Sequence, residues 1–474
     1  MNDEIKKQPI EQIEDFANYN DGVRLLAYDP VAKKTGKIPL GRLTGTTKYG
    51  GARWRKDSAS TEGEPFGDID MIVNMKNILQ LGGYLVQNDH SRRKLSSTNH
   101  FKFESGGEAK LDGSMGHYQW GWGVPFYYAN WEDDEYYYEA YATSPISGVY
   151  NYLIPIASGS RGWATMDRTN NILVSYANRN AQYRGGKNDA SFDDAWNTQC
   201  GKPVVNIAFN TYQTAAAKNG DRWAANWYSW IFMVGALMRI YFHNRDIQAA
   251  RNSTLTVDGC PQGGLGTGVD NVSAQFGAQF GAQYATMDID ALAEMGDALG
   301  VFSLDVEKDD GTTLTIRNIP MFFGLPNFHH YMWAPQHGIR LSTLSDKSKD
   351  VYIKRIWNED SVATTDLNGM VKIGTIPPSN NGWNYPKRMN LENLALYPLE
   401  FGGSTATYWP DGFYGDGATS GLRALAALGA ASGGAEAGSG ALDGNVAPAN
   451  AHVHYGAFLC EAAANWDTQA FFVG

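Results

Sequence analysis

Four groups of residues combine types and spacings that could do chemistry. The run WEDDEYYYEAY (131–141) sets Glu132, Asp133, Asp134 and Glu135 beside three tyrosines. Paired carboxylates next to aromatics are the equipment of a glycosidase. The same run reads as a hairpin tip followed by a strand with alternating faces, and that reading is favoured. His329, His330 and His337 fall within nine residues. Neighbouring side chains on an extended segment point to opposite faces, so His329 and His330 do not easily share one ion. Hydrogen-bonded histidines among aromatics are expected there. His452 and His454 alternate with Val453, as in a strand, and would share a face. A polar, ligand-facing strand edge is expected in preference to a metal site. GGLGTGV (263–269) is glycine-rich but lacks the βαβ surroundings of a dinucleotide cradle and reads as a tight loop.

No nucleophile elbow, P-loop, HExxH or useful Cys/His pair occurs. Cys200, Cys260 and Cys460 lie far apart without CxxC spacing. That indicates neither a zinc site nor a dense disulfide framework; one disulfide or three isolated thiols remain, the thiols preferred. The expectation is therefore no catalysis, no metal and no cofactor.

The elements that must position these residues belong to a chain of 474 residues with 43% hydrophobic, 19% charged and 13% aromatic residues and 53 glycines. So many aromatics and so few charges exclude a largely disordered chain and a coiled-coil rod. The abundance of Gly, Tyr, Trp and Asn argues against a helical bundle. A net charge of −11 repels phosphate backbones, and Lys33, Lys34 and Lys37 form only a solvated turn, so no nucleic-acid partner is expected. MNDEIKKQPIEQIEDF has no apolar core of a secretory signal. The most apolar stretch, Trp227 to Leu237, is short and flanked by Arg222 and Arg239, which implies a buried helix and no membrane insertion.

Residues 1–45 form a small helix–hairpin module, with Ile10, Ile13, Phe16 and Ala17 as a helical stripe and strands at VRLLAYDP (23–30) and Lys37–Leu40. Some forty residues do not bury a stable core alone, so the module is expected to dock onto other copies or a partner. Residues 46–67, rich in Gly, Ser, Thr and charge, read as a linker. Residues 68–474 read as one α+β domain. Strands are expected at Gly83–Gln87, Pro125–Tyr128, Tyr136–Ala142, Asn151–Ile156, Leu314–Asn318, Gly338–Leu341 and Tyr352–Trp357. Helices are expected at Thr211–Asn219, Trp227–His243 and Asp288–Leu299, and AQFGAQFGAQY (274–284) places Phe276, Phe280 and Tyr284 on one helical face. From Phe401 onward, Ala and Gly fill 32 of 74 positions. Interleaved Leu422, Leu425, Leu428, Leu442, Val446, Tyr455, Phe458 and Leu459 point to a folded segment, not to low-complexity disorder.

That segment, LRALAALGAASGGAEAGSGALDGNVAPANAHVHYGAFL (422–459), resembles the C-terminal variable region of phage proteins diversified by retroelements. The matching positions are Arg423, Leu425, Gly429, Gly434, Ala437, Gly438, Asn445, Pro448, Tyr455, Gly456 and Leu459. LDGSMGHYQWGWGVPFYY (111–128), MDRTNNILVSY with YRGG (166–186), WIFMVGALMRIYFHNRDIQA with QGGLGTGV (230–269) and MFFGLPNFHHYMWAPQHGI (321–339) are similar to pieces of phage tail proteins of this group. LLAYDP…GKIPLGRL resembles their short attachment module. The chain departs from the pattern at Leu428-Gly429, where Gly-Gly is usual, and at Gly456-Ala457-Phe458-Leu459, where Gly-x-Arg-Leu is usual. It also lacks the reactive cysteines of the enzymatic branch.

The resemblance implies a C-type-lectin-like fold, of the branch shared with formylglycine-generating enzyme, and a receptor-binding role like that of the phage major tropism determinant. It implies a virion protein of the phage tail, held to other tail proteins by the N-terminal module, as a homotrimer by family analogy. The host cell-surface receptor would meet a variable region of about residues 405–459. The residues expected there are Tyr408, Trp409, Asp411, Phe413, Tyr414, Asp416, Ala430, Ala431, Ala435, Glu436, Asp443, Ala449, Asn450, His452 and His454. Leu422, Leu425, Leu428, Ala437 and Leu459 are expected beneath them. A virion structural protein without receptor binding, and a glycan-cleaving tail enzyme using the carboxylates near 132–135, are the alternatives.

Overall fold

A computed structural model describes residues 24–29, 34–39, 48–178, 181–183, 204–247, 289–307, 313–326, 332–358, 366–429, 436–452 and 455–473. The chain divides into two compact units, Met1–Lys48 and Tyr49–Gly474. In the first, strands Arg24–Asp29 and Lys34–Pro39 pair antiparallel from Arg24↔Pro39 to Asp29↔Lys34; the expected hairpin is present, but its second strand begins at Lys34, so Lys34 and Lys37 lie in the strand and not in the expected turn. The expected helix at residues 10–17 lies outside the described residues.

The second unit is a sheet-rich α+β structure with few helices. It is built around one helix, Tyr228–Phe242, whose residues are buried from Tyr228 to Ile240. A helix apolar on every face has to be enclosed on every face, and three sheets enclose this one. It packs on strands Tyr49–Arg55 and Tyr136–Ala142 of a six-stranded sheet, on Ala157–Ser160 of a seven-stranded sheet, and on Ala334–Thr343 of a second seven-stranded sheet. One charge enters this contact. Arg239 donates to both carboxylate oxygens of Glu139 (2.9 and 2.8 Å), and Tyr128 Oη donates to Glu139 Oε2 at 2.9 Å. A buried pair this fully bonded pins the helix to the six-stranded sheet, because losing either partner would strand a charge away from water.

Residues 49–67 correct the expected linker. Tyr49–Arg55 and Glu64–Gly67 are strands of the six-stranded sheet, and Ala52 and Trp54 are buried. The glycines there serve close approach: a Cβ on Gly51 would stand 2.4 Å from the Glu139 carbonyl oxygen and 2.7 Å from the Phe66 ring. The expected hairpin at 131–141 is present, with strands Phe126–Glu132 and Tyr136–Ala142 in register. The expected helix at 288–299 is shorter, Ile289–Glu294, because Gly296 takes a φ of +54°.

The C-terminal segment is woven into two sheets. Leu459–Ala462 lies between Trp223–Ala225 and Ala157–Ser160. There the buried Glu461 accepts from Ser158 Oγ at 2.7 Å, contacts His90 Nδ1 at 3.1 Å and pairs with Arg92. The second seven-stranded sheet runs in the order Val371–Ile376, Lys349–Ile353, Ala334–Thr343, Gly421–Ala427, Leu442–Val446, Phe413–Gly415, Gly382–Asn384. Its pairs are antiparallel except Phe413–Gly415 with Leu442–Val446. None of the helices among the described residues is long and apolar enough to cross a membrane.

Candidate functional site

Strand Gly421–Ala427 decides what each face of the second seven-stranded sheet carries. Successive side chains point to opposite faces. Leu425 and Ala427 enter the main core with the central helix. Ala424 and Ala426 face the other way, into a smaller cluster with Phe209, Trp333, Ala441 and Val446. Two alanines leave room above the sheet, and large rings occupy it.

Those rings form a connected platform. Trp333 stacks on Trp383 (centroids 6.1 Å apart, 24° between planes), and Trp383 meets Tyr414 edge-on at 5.3 Å. Trp333 bridges to the Tyr455 backbone, and the Tyr455 ring lies 5.9 Å from His452. Asp443 stands opposite Tyr414 across the parallel strand pair. Burial first, then the charge of Asp443, raises the Tyr455 hydroxyl pKa, while Asn450 bonds to that hydroxyl and counters the rise. Asp443 itself is half-buried, and desolvation lifts its carboxyl to about 7, although it accepts the Asn445 N–H at 2.7 Å. Ala449, Asn450 and His452 are exposed, and Tyr414, Trp383 and Tyr455 half-exposed. The loop ends are fixed from outside: Asn206 N–H donates to the His452 carbonyl (3.0 Å) and Phe209 N–H to the Asn450 carbonyl (3.3 Å).

Of the residues expected at a binding surface, the structure thus brings together Tyr414, Asp443, Ala449, Asn450 and His452. Four others are corrections. Trp409 and Phe413 are buried: Trp409 lies under Arg239 and Arg245 (5.2 and 5.0 Å), and Phe413 packs on Phe401. Asp411 retains 2% exposure and accepts the Gly440 N–H at 2.7 Å. The Asp416 side chain retains 5% exposure and is held by Lys349 Nζ (2.7 Å) and Arg423 Nε (2.8 Å). The short strand Phe413–Gly415 explains the pattern, since it exposes only its middle residue. Tyr408 and Glu436 are half-buried; Tyr408 N–H donates to the Ala59 carbonyl, and Glu436 accepts from Tyr385 Oη at 3.0 Å. Ala430, Ala431, Ala435 and His454 lie outside the described residues, as do Gly434, His329, His330, Cys200, Cys260 and the segments 263–269 and 274–284. Of the residues expected beneath the binding face, Leu425, Leu428, Ala437 and Leu459 are buried and Leu422 is half-buried, but Leu459 belongs to the other seven-stranded sheet and not to the one that carries the platform.

Sequence reasoning missed Trp333 and Trp383 as parts of this face. Trp333 sits in the histidine-rich run that drew attention for metal, and Trp383 follows a glycine in NNGWN; only the sheet order joins them.

The other chemical candidates have structural occupations. At the 131–141 hairpin, Asp133 accepts first from Tyr138 Oη (2.7 Å) and then from the N–H groups of Tyr136 and Glu135 (both 2.8 Å), which holds its carboxyl below the usual range. Glu132 pairs with Lys56 at 3.1 Å and Arg388 at 3.4 Å. Asp297, His100 and Tyr118 form a relay-like chain (2.9 and 2.5 Å), with His100 and Asp297 sealed from solvent. Cys460 is buried, which pushes its thiol up and away from reactivity. Among the described residues no group of three or more metal-ligating side chains occurs. Comparison with family models and with curated proteins finds no match to this chain.

Proposed function

We propose that this chain is a receptor-binding protein of a phage tail, with a C-type-lectin-like scaffold of the formylglycine-generating-enzyme type and a diversified C-terminal binding face. The observation that carries this reading is the platform itself. Tyr414, Asp443, Asn450 and His452 stand around contiguous aromatic rings on one face of a sheet whose other face is the main core. Tyr and Trp dominate the energetics of binding surfaces, and a face backed by a packed core loses little freedom on binding. Small residues on strand Gly421–Ala427 hold the scaffold while Asp443 on its neighbouring strand and the loop residues at 447–452 can change at small cost to folding. The N-terminal unit would attach the protein to other virion proteins. A homotrimer would offset weak single sites by multivalency.

The test is binding of labelled full-length protein to a panel of bacterial strains by flow cytometry. Strain-selective binding that Tyr414→Ala with Asn450→Ala abolishes supports the reading. Binding that is absent from every strain, or indifferent to these changes, favours a virion structural protein. Release of sugar from cell-surface glycans by the pure protein would favour a glycan-cleaving enzyme. A near-copy of the 3′ end of the gene beside a reverse-transcriptase gene would support diversification.

A further inference from the structure

A second site lies away from the platform. Strands Phe126–Glu132, Tyr136–Ala142 and Pro386–Asn390 border a cleft of about 160 Å³, and Arg245 and Trp409 also line it. Arg245 is 6% exposed. Its guanidinium lies over the rings of Trp54 (4.8 Å), Trp409 (5.0 Å) and Tyr137 (5.5 Å). Rings satisfy the faces of a guanidinium but not the N–H groups on its edge. Among the described residues the buried Nε has no acceptor. Glu139, the carboxylate whose charge acts on Arg245, is committed to Arg239 through both oxygens. The other cations of the cleft are already paired, Arg388 with Glu132 (3.4 Å) and Lys387 with Glu400 (3.0 Å). Arg245 is therefore a desolvated cation without a carboxylate of its own among the described residues, and burial lowers its pKa to about 10.

A buried charge is tolerated when a partner arrives, and the planar fork of arginine matches a carboxylate in two parallel bonds. The remaining walls suit a sugar ring. Half-exposed Tyr137 and Trp131 offer apolar ring surface, while Trp409 lies buried behind Arg245. Asn130 and Asn390 add polar side chains to the lining, their amide nitrogens donating to the Leu391 (3.3 Å) and Ala395 (2.7 Å) carbonyls. The volume lies below the roughly 300–1,000 Å³ of sites for drug-sized ligands, so it fits a single ring and not a chain of them. We infer that this cleft binds one carboxylate-bearing sugar unit, its carboxylate on Arg245 and its ring against Tyr137. The site stands on residues distinct from the platform, so it holds or fails independently of the receptor-binding reading.

The experiment titrates full-length protein with glucuronate, N-acetylneuraminate, glucose and inorganic phosphate, by saturation-transfer NMR and by thermal shift. At least one acidic sugar is expected to bind and to raise the melting temperature by mass action, with glucose and phosphate silent. Arg245→Lys, which keeps the charge and loses the fork, should weaken binding about tenfold or more. Should that variant misfold, Leu399→Trp at the rim narrows the entrance without touching the guanidinium and should also weaken binding. Tyr414→Ala should leave it unchanged. Silence of both acidic sugars at tens of millimolar, equal binding of glucose, preference for phosphate, or insensitivity to both cleft variants would overturn the inference.

Discussion

Burial pushes the Asp411 carboxyl up to about 8, and the charge of Asp246 adds to the push. In the unfolded chain the same group titrates near ~3.9, so the folded state binds its proton more tightly. The resulting stabilisation is complete below about pH 4, erodes as pH rises, and is gone above about pH 8. Asp411→Asn keeps an acceptor for Gly440 N–H and removes the titration. It should flatten the dependence of stability on pH and make the variant relatively more stable at pH 9 than at pH 5. Urea denaturation at the two values reads this directly; an unchanged slope would contradict it. His100 has the opposite sign. Burial lowers its pKa to about 4 against the pull of Asp297, so its contribution is present above ~6.5 and is lost as pH falls toward 4. Its Nε2 donates to Asp297 and its Nδ1 accepts from Tyr118. Imidazole ¹⁵N shifts should therefore report one neutral Nε2–H tautomer from pH 8 to pH 5, and protonation near pH 6.5 would refute the arrangement. Neither group was legible in the sequence, because desolvation depends on which strands close over a residue.

Elements were legible wherever one pattern dominated. The alternation of 136–142 and the apolar run from Trp227 to Leu237 each allow one reading, and the structure has that strand and that helix. Glycine-rich stretches were not legible, because glycine marks both flexibility and close approach. In Tyr49–Arg55 it marks close approach, and the expected linker is part of a sheet. The same ambiguity applies to the C-terminal segment. A Cβ on Gly438 would stand 2.2 Å from Asp411 Oδ1, inside the buried hydrogen-bonding corner that joins Gly440 to Asp411. Gly438→Val should cost about 1–3 kcal/mol by overpacking. Asn450→Ala on the exposed loop should stay within about 0.5 kcal/mol. Chemical denaturation of the two variants side by side separates scaffold from surface; equal costs would deny that division.

At the scale of the whole molecule, the apolar helix Tyr228–Phe242 is the shared centre of three sheets, and the chain end at Leu459–Ala462 is locked into one of them. Nine large indole side chains are sealed in the interior and account for much of the 14 tryptophans. How sheets meet was not legible: Trp333 and Trp383 are fifty residues apart and stack only because Ala334–Thr343 and Gly382–Asn384 belong to one sheet. Assembly follows from the proposed role. Full-length protein should scatter light as a trimer at micromolar concentration, and a monomer mass would remove the multivalent part of the account. The most direct measurement of the central claim is adsorption to a susceptible strain by protein carrying Tyr414→Ala, Asp443→Ala, Asn450→Ala and His452→Ala together. The account predicts lost or redirected adsorption with a melting temperature close to that of the parent. Full adsorption by a normally folded variant would contradict it.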